Sequence, residues 1–150
     1  MKIKTLIGAG DQIMGFTLPF ALAGIVANIY YPESFRMNLG PWGTGLGILF
    51  LVIGVPLWLT AAVQVLVYVP RRQLITSGPF SLLLHPLYTS VALLVIPGVG
   101  FVLDTWVGVG IGIILYSCSR RFSVEEDKHL EEMFSDAYRS YRANILLPWL

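Results

Sequence analysis

Two short stretches of this chain carry residue types that could do chemistry together. One is Ser77–Ser90, Ser-Gly-Pro-Phe-Ser-Leu-Leu-Leu-His-Pro-Leu-Tyr-Thr-Ser, which holds His85 and Tyr88. The other is Arg121-Phe-Ser-Val-Glu125-Glu126. A carboxylate can hold an ammonium group by a charge-assisted hydrogen bond. An aromatic face can support a sulfonium or another cation. Paired carboxylates beside a His/Tyr turn are therefore a candidate site for a cationic ligand. The prolines shape the first stretch. Each fixes its own φ and disfavours α geometry for the residue before it, so Gly78 and His85 should be extended or in a turn. Pro86 suits the first turn of a helix, which places His85 and Tyr88 at a helix start.

For the two stretches to meet, the elements around them must bring them to one place. Apolar residues make up 55% of the chain and charged residues 13%, with a mean hydropathy of +0.71. A soluble domain carries roughly 25% charged residues, so a bilayer protein of one domain is expected. Four apolar runs stand out, at about 13–31, 43–69, 87–103 and 105–122. The second is long enough to span with tilt, and Pro56 should kink it. Asp104 marks a tight turn, so the last two runs form a helical hairpin. The fold class expected is all-α, integral membrane, with four transmembrane helices.

A hairpin of the third and fourth runs sets the His85 stretch beside Glu125 and Glu126. Assigning 1–12, 71–85 and the C-terminal tail to one side places nine of the ten cations there: Lys2, Lys4, Arg71, Arg72, Arg120, Arg121, Lys128, Arg139 and Arg142. Only Arg36 falls on the other side. Excess Lys and Arg mark the cytoplasmic side, so both termini and the site should face the cytoplasm. Lys2 and Lys4 followed by an apolar run, with Ala21-Leu22-Ala23 beyond, have some features of a cleaved signal. Gly10-Asp11-Gln12 interrupts that pattern and the run continues past Ala23, so a retained first span is the expectation.

The tail differs in character. Leu130, Met133, Phe134, Ala137, Tyr138 and Tyr141 recur at helical spacing, giving a cytoplasmic amphipathic helix over about 123–142. Ile145–Leu150 is apolar again and should return to the membrane surface, with Trp149 at the interface. Gly43/Gly47 and Gly108/Gly112 have the spacing that lets membrane helices approach closely. The single cysteine, Cys118, excludes an intrachain disulfide, and no metal-ligand cluster is evident. The basic residues form no stripe suited to nucleic acid.

Ser77-Gly-Pro-Phe, His85-Pro86-Leu87-Tyr88, Arg121-x-x-x-Glu125-Glu126, then Phe134, Tyr138, Tyr141 and Pro148, resemble the isoprenylcysteine carboxyl methyltransferase family, grouped with the phospholipid methyltransferases. The resemblance covers about residues 71–150. It implies an integral-membrane enzyme using S-adenosylmethionine, with S-adenosylhomocysteine as product and a lipidic or membrane-soluble acceptor. It implies that Gly78, His85, Pro86, Tyr88, Glu125 and Glu126 line the cofactor pocket, with the methionine or ribose end near His85. By the same resemblance Tyr88 packs by the sulfonium, Glu125 or Glu126 holds the α-ammonium, and Arg121 balances the glutamates or reaches the cofactor carboxylate. Glu125, Glu126 and Arg121 are the implied catalytic set, with no metal. Three positions depart from the family: Leu84 replaces an arginine before the histidine, Ser90 replaces a glycine, and Phe80-Ser81 lacks the expected arginine.

Other readings compete. Glu126 could complete a capping box with Ser123. Arg120 and Arg121 could anchor the fourth run at headgroups. Tyr138 and Tyr141 read as packing residues and His129 as solvated. A non-catalytic membrane adaptor on the same fold is the alternative function. A transporter would normally need an ionisable group within a span. The runs hold none up to Cys118.

Overall fold

The computed structural model describes residues 8–148 and 150, and all its regular elements are helical. Lys2, Lys4 and Trp149, on which the sidedness and interface expectations partly rest, lie outside the described residues. Helix α1 is Gly8–Tyr30, and a single turn, α2, covers Pro32–Phe35. Helix α3 is Gly40–Tyr68, α4 is the turn Pro79–Leu82, and α5 is Pro86–Ser90. A π-helical segment, Val91–Val95, joins α5 to α6, Ile96–Val102. Helix α7 is Trp106–Asn144.

The chain passes four times between the same two ends. At the far end Asn28, closing α1, accepts the Thr105 hydroxyl at 2.8 Å. There too the Leu39 N–H, entering α3, reaches Asp104 Oδ1 at 3.3 Å. At the near end Gln12, Val65, Val69, His85 and Phe122 line one cavity. Asp104 takes φ 53° to make the tight turn expected of it. Thr105 then caps α7 by accepting the Val107 N–H.

Two helices are long and apolar enough to cross a membrane: Gly10–Tyr30, 21 residues, and Gly40–Tyr68, 29 residues. At 1.5 Å per residue these extend about 32 and 43 Å, against a hydrocarbon thickness of roughly 30 Å. Pro86–Val102 is apolar but shorter. Helix α3 continues through Pro56 without interruption, and the Thr60 hydroxyl donates to the Pro56 carbonyl at 2.8 Å.

Bulk faces outward and small or hydroxylated residues face inward. Phe16, Leu22, Val52 and Leu66 are all more than half exposed, whereas Thr17, Thr89, Ser90, Ser119 and Ser123 are buried. Small residues set the helix contacts, as the glycine spacing predicts. A Cβ on Gly47 would lie 2.7 Å from the Gly98 carbonyl, and one on Gly108 would lie 2.5 Å from Gly100 Cα. One on Gly112 would collide with the Ala92 carbonyl. Ile13, Ala92 and Leu115 form a core with Tyr88 and Phe122 packed against it.

The tail departs from expectation in one respect and adds a pairing the sequence does not show. No helix starts at Ser123, because α7 runs unbroken through that position. It bends instead at Ser135, at φ 43° and ψ −115°. Ser123 therefore cannot cap Glu126, and the capping-box reading is corrected: the apolar periodicity of the fourth run phases smoothly into that of the tail. The last residues also gain backbone partners that the sequence does not show. The Leu146 and Leu147 N–H groups donate to the Ser81 and Leu82 carbonyls, and the Leu84 N–H to that of Leu150. The C-terminal segment thus runs parallel to 81–84 as a short strap.

Candidate functional site

The near-end cavity has a volume of about 360 Å³. Roughly 300–1,000 Å³ is usual for small-molecule sites. It is assembled from four parts of the chain. Helix α3 ends at Tyr68, and Arg72 takes φ 54°, the left-handed conformation that closes helix C-termini. The chain then turns through Gln73 and Ile75 along the cavity wall. Gly78 has φ 61° and ψ −132°, a conformation an L side chain rarely adopts. Gln64 on α3 ties this turn down by donating to the Ser77 carbonyl and hydroxyl, both at 3.3 Å.

His85 follows with φ −124° and ψ 66°, just outside α5, and Pro86 opens that helix. Both are as the prolines predict. Helix α7 supplies the facing wall. Phe122, Glu125, Glu126 and His129 line the cavity from its upper turns, and Phe134, Tyr138 and Tyr141 from either side of the bend. The Tyr141 hydroxyl donates to the Phe80 carbonyl at 2.8 Å, fastening the tail to the opposite wall.

Of the residues singled out in the sequence, His85, Glu125 and Glu126 come together on this cavity. Pro86 is buried beneath it. Tyr88 is half-buried in the Ile13–Ala92–Leu115 core, its ring centroid 6.4 Å from that of His85, and is not a lining residue. Gly78 shapes the turn without lining the cavity. Arg121 is exposed and does not line it. The structure thus brings together the histidine and both glutamates and leaves the arginine aside.

Asp127 was not singled out, and it is the nearest acid to His85. Its Oδ1 lies 3.1 Å from His85 Nε2, off the line of the ring N–H, so this is a close polar contact and not a formed hydrogen bond. The same oxygen accepts the Tyr138 hydroxyl at 2.7 Å. Burial pulls the Asp127 carboxyl upward, but His85, Tyr138 and the Arg142 charge together hold it below its usual range. Tyr138, read from the sequence as packing, is 1% exposed. Its hydroxyl is pushed well up by burial, and then by its bond to Asp127. A signal for this pair existed: the face Leu130–Phe134–Tyr138, continued back one turn, reaches Asp127. His129 is an exposed helix residue, as the sequence suggests, and stands on the cavity lining as well.

Glu126 is the singular group. Its Oε2 is fully buried and has no hydrogen-bond partner. Its carboxyl is raised above the ordinary range, mainly by burial. His85 opposes that shift and Asp127 adds to it. A buried carboxyl oxygen without a partner is costly to leave so, and a cation delivered through the cavity would satisfy it. Aromatic rings from Phe122, Phe134, Tyr138 and Tyr141 supply flat apolar walls. The donor set therefore fits a ligand that combines an ammonium group with an apolar or aromatic body.

Ser90, Ser81 and Leu84 are each accommodated locally. Ser90 is buried and its hydroxyl donates to the Pro86 carbonyl. Ser81 folds back on the Gly78 carbonyl at 2.7 Å. Leu84, 5% exposed, forms an apolar part of the cavity wall. Comparison with protein-family models, with curated proteins and with solved structures finds no match in any of the three.

Proposed function

We propose that this protein is an integral-membrane methyltransferase that uses S-adenosylmethionine and a lipidic or membrane-soluble acceptor. The observation that carries the reading is the meeting of His85, Glu125 and Glu126 on one cavity, with a buried, unpartnered Glu126 oxygen. The near-end walls would hold the cofactor: Glu126, with Glu125 beside it, would take the α-ammonium, and the aromatic walls the adenosine. When bound, the cofactor supplies a methyl group on a sulfonium. Transfer from a sulfonium needs an in-line approach and a good leaving group, so positioning can supply much of the rate. In this reading Pro86 and Gly78 hold the histidine turn in place, Tyr88 backs His85 from the core, and Arg121 lies outside the pocket as a headgroup anchor.

The membrane topology belongs to the same proposal. Helices α1 and α3 are two spans. The π-broken run Pro86–Val102 and the apolar part of α7 are the other two, with the remainder of α7 forming the cytoplasmic amphipathic tail. Arg72, Arg120, Lys128 and Arg142 line cavities at the near end, while Arg36 stands at the far end beside Asp104. The positive-inside rule then makes the near end, both termini and the site cytoplasmic. Outward-facing bulk on α1 and α3 is what lipid contact favours.

A labelled-methyl assay on membrane extracts tests the activity. Wild type should label a lipid-soluble product, and Glu126→Gln and His85→Ala should not. Equal labelling by all three would refute the site. Leu84, an apolar residue where the resembled family has an arginine, favours a second reading, a non-catalytic adaptor. Calorimetry in detergent separates the two, since an adaptor shows no S-adenosylmethionine binding.

A further inference from the structure

A second cavity, about 250 Å³, lies behind the wall that Leu84, His85 and Asp127 form on the first. Arg120, Lys128 and Arg142 line it. None of the three makes an ion pair among the described residues. The two acids that also line it are engaged elsewhere. Glu131 holds Arg139 at 2.9 Å, and Asp127 holds Tyr138 and faces His85. Ser123 opens onto the same cavity, is 3% exposed, and its hydroxyl has no hydrogen-bond partner.

The bend in α7 assembles this set. On a straight helix Arg142 would stand about 33 Å beyond Arg120. Ser135, at a positive φ that a non-glycine residue adopts only at a cost, folds Arg142 back to the cavity that Arg120 lines. Three cations without an ion-pair partner among the described residues, Arg142 acting on Asp127 only at longer range, and a buried free hydroxyl around one small cavity ask for a compact oxyanion with several acceptors. A carboxylate or a phosphodiester brings only two charged oxygens to these four groups, whereas a phosphate monoester brings three and free phosphate four.

We propose that this second cavity binds a phosphate group, free or as a monoester, through Arg120, Lys128 and Arg142 with Ser123 donating from beneath. Its position just past the apolar part of α7 makes a lipid headgroup and a free phosphate the two sources to separate. The proposal does not depend on the methyl donor, so its test leaves the cofactor out. The full chain in neutral detergent is titrated by calorimetry with inorganic phosphate, with dihexanoyl phosphatidic acid, and with dihexanoylglycerol as the phosphate-free control.

Phosphatidic acid should bind saturably and dihexanoylglycerol should not. Arg142→Gln and Lys128→Gln should each weaken binding about five- to tenfold, as losing a partly exposed charge-assisted contact does. Arg71→Gln, at the same end but lining neither cavity, should bind as wild type does. Phosphatidic acid binding much more tightly than inorganic phosphate identifies a headgroup site. Equal affinities identify a site for soluble phosphate. Helix content by circular dichroism confirms that each variant is folded. No binding of either phosphate probe, equal binding of dihexanoylglycerol, or wild-type affinity in both cation variants overturns the proposal.

Discussion

Replacing Glu126 by glutamine separates the two things this carboxyl does. Buried and lacking a partner on Oε2, it is held above the ordinary glutamate range. An acid whose pKa is raised on folding binds its proton more tightly in the folded state. Its contribution to stability is complete below the unfolded value and is lost as pH rises through the folded value. Glutamine carries no such dependence. Glu126→Gln should therefore match wild type in acid and melt at a higher temperature near neutral pH.

Ligand binding should move the other way. A hydrogen bond to a charged group in a buried site contributes about 1.5–3 kcal/mol, so losing it should weaken S-adenosylmethionine binding roughly 10- to 150-fold. Because an ammonium favours the ionised carboxylate, wild type should release protons on binding. Calorimetry in two buffers of different ionisation enthalpy reads that release directly, and Glu126→Gln should show none. A variant that binds as tightly as wild type with the same proton release would refute both the buried-acid argument and the ammonium site.

Asp127→Asn removes the partner shared by His85 and Tyr138 and should destabilise the fold by about 1–3 kcal/mol, seen as a lower melting temperature at neutral pH. Asp127 is held below its usual range, so its contribution is present above the unfolded value and lost as pH falls through the folded one; melting curves of the asparagine variant should be flatter across the acid range. Tyr141→Phe loses the bond to the Phe80 carbonyl and should cost about 1 kcal/mol, with faster proteolysis between residues 77 and 84 as the readout. Gly108→Ala forces a methyl against Gly100 and should cost about 1–3 kcal/mol, measured by thermal unfolding in detergent.

Local rules made much of this legible. Proline chemistry placed His85 before a helix, glycine spacing marked the close helix contacts, and Asp104 marked the turn. A hairpin of the third and fourth apolar runs is enough to bring Glu125 and Glu126 to His85. What escaped were features decided by long-range geometry. Asp127 hides beside two other acids in the sequence, and only the helix phase points it at His85 and Tyr138. Ser135 belongs to no turn motif, so the bend that folds Arg142 back left no local mark. The strap from Ile145 onward reads as an apolar membrane segment, because a backbone pairing of three bonds needs no particular side chains. Arg121 enters the expected site only through the family resemblance; its neighbour Phe122 lines the cavity, while Arg121 sits on an exposed face of the same turn of α7.

Where Gly47 meets Gly98, Gly100 meets Gly108 and Gly112 meets Ala92, main chain rests on main chain with no side-chain layer to slide on. Helices α3, α6 and α7 are in effect keyed together and must travel as one block. Widening of the near-end cavity then falls to parts outside that block: Gln12 on α1, and the rim, where the strap and residues 81–84 are laced by single bonds that can open in turn. Access for a bulky molecule is then a question of unlacing that seam more than of parting α3, α6 and α7.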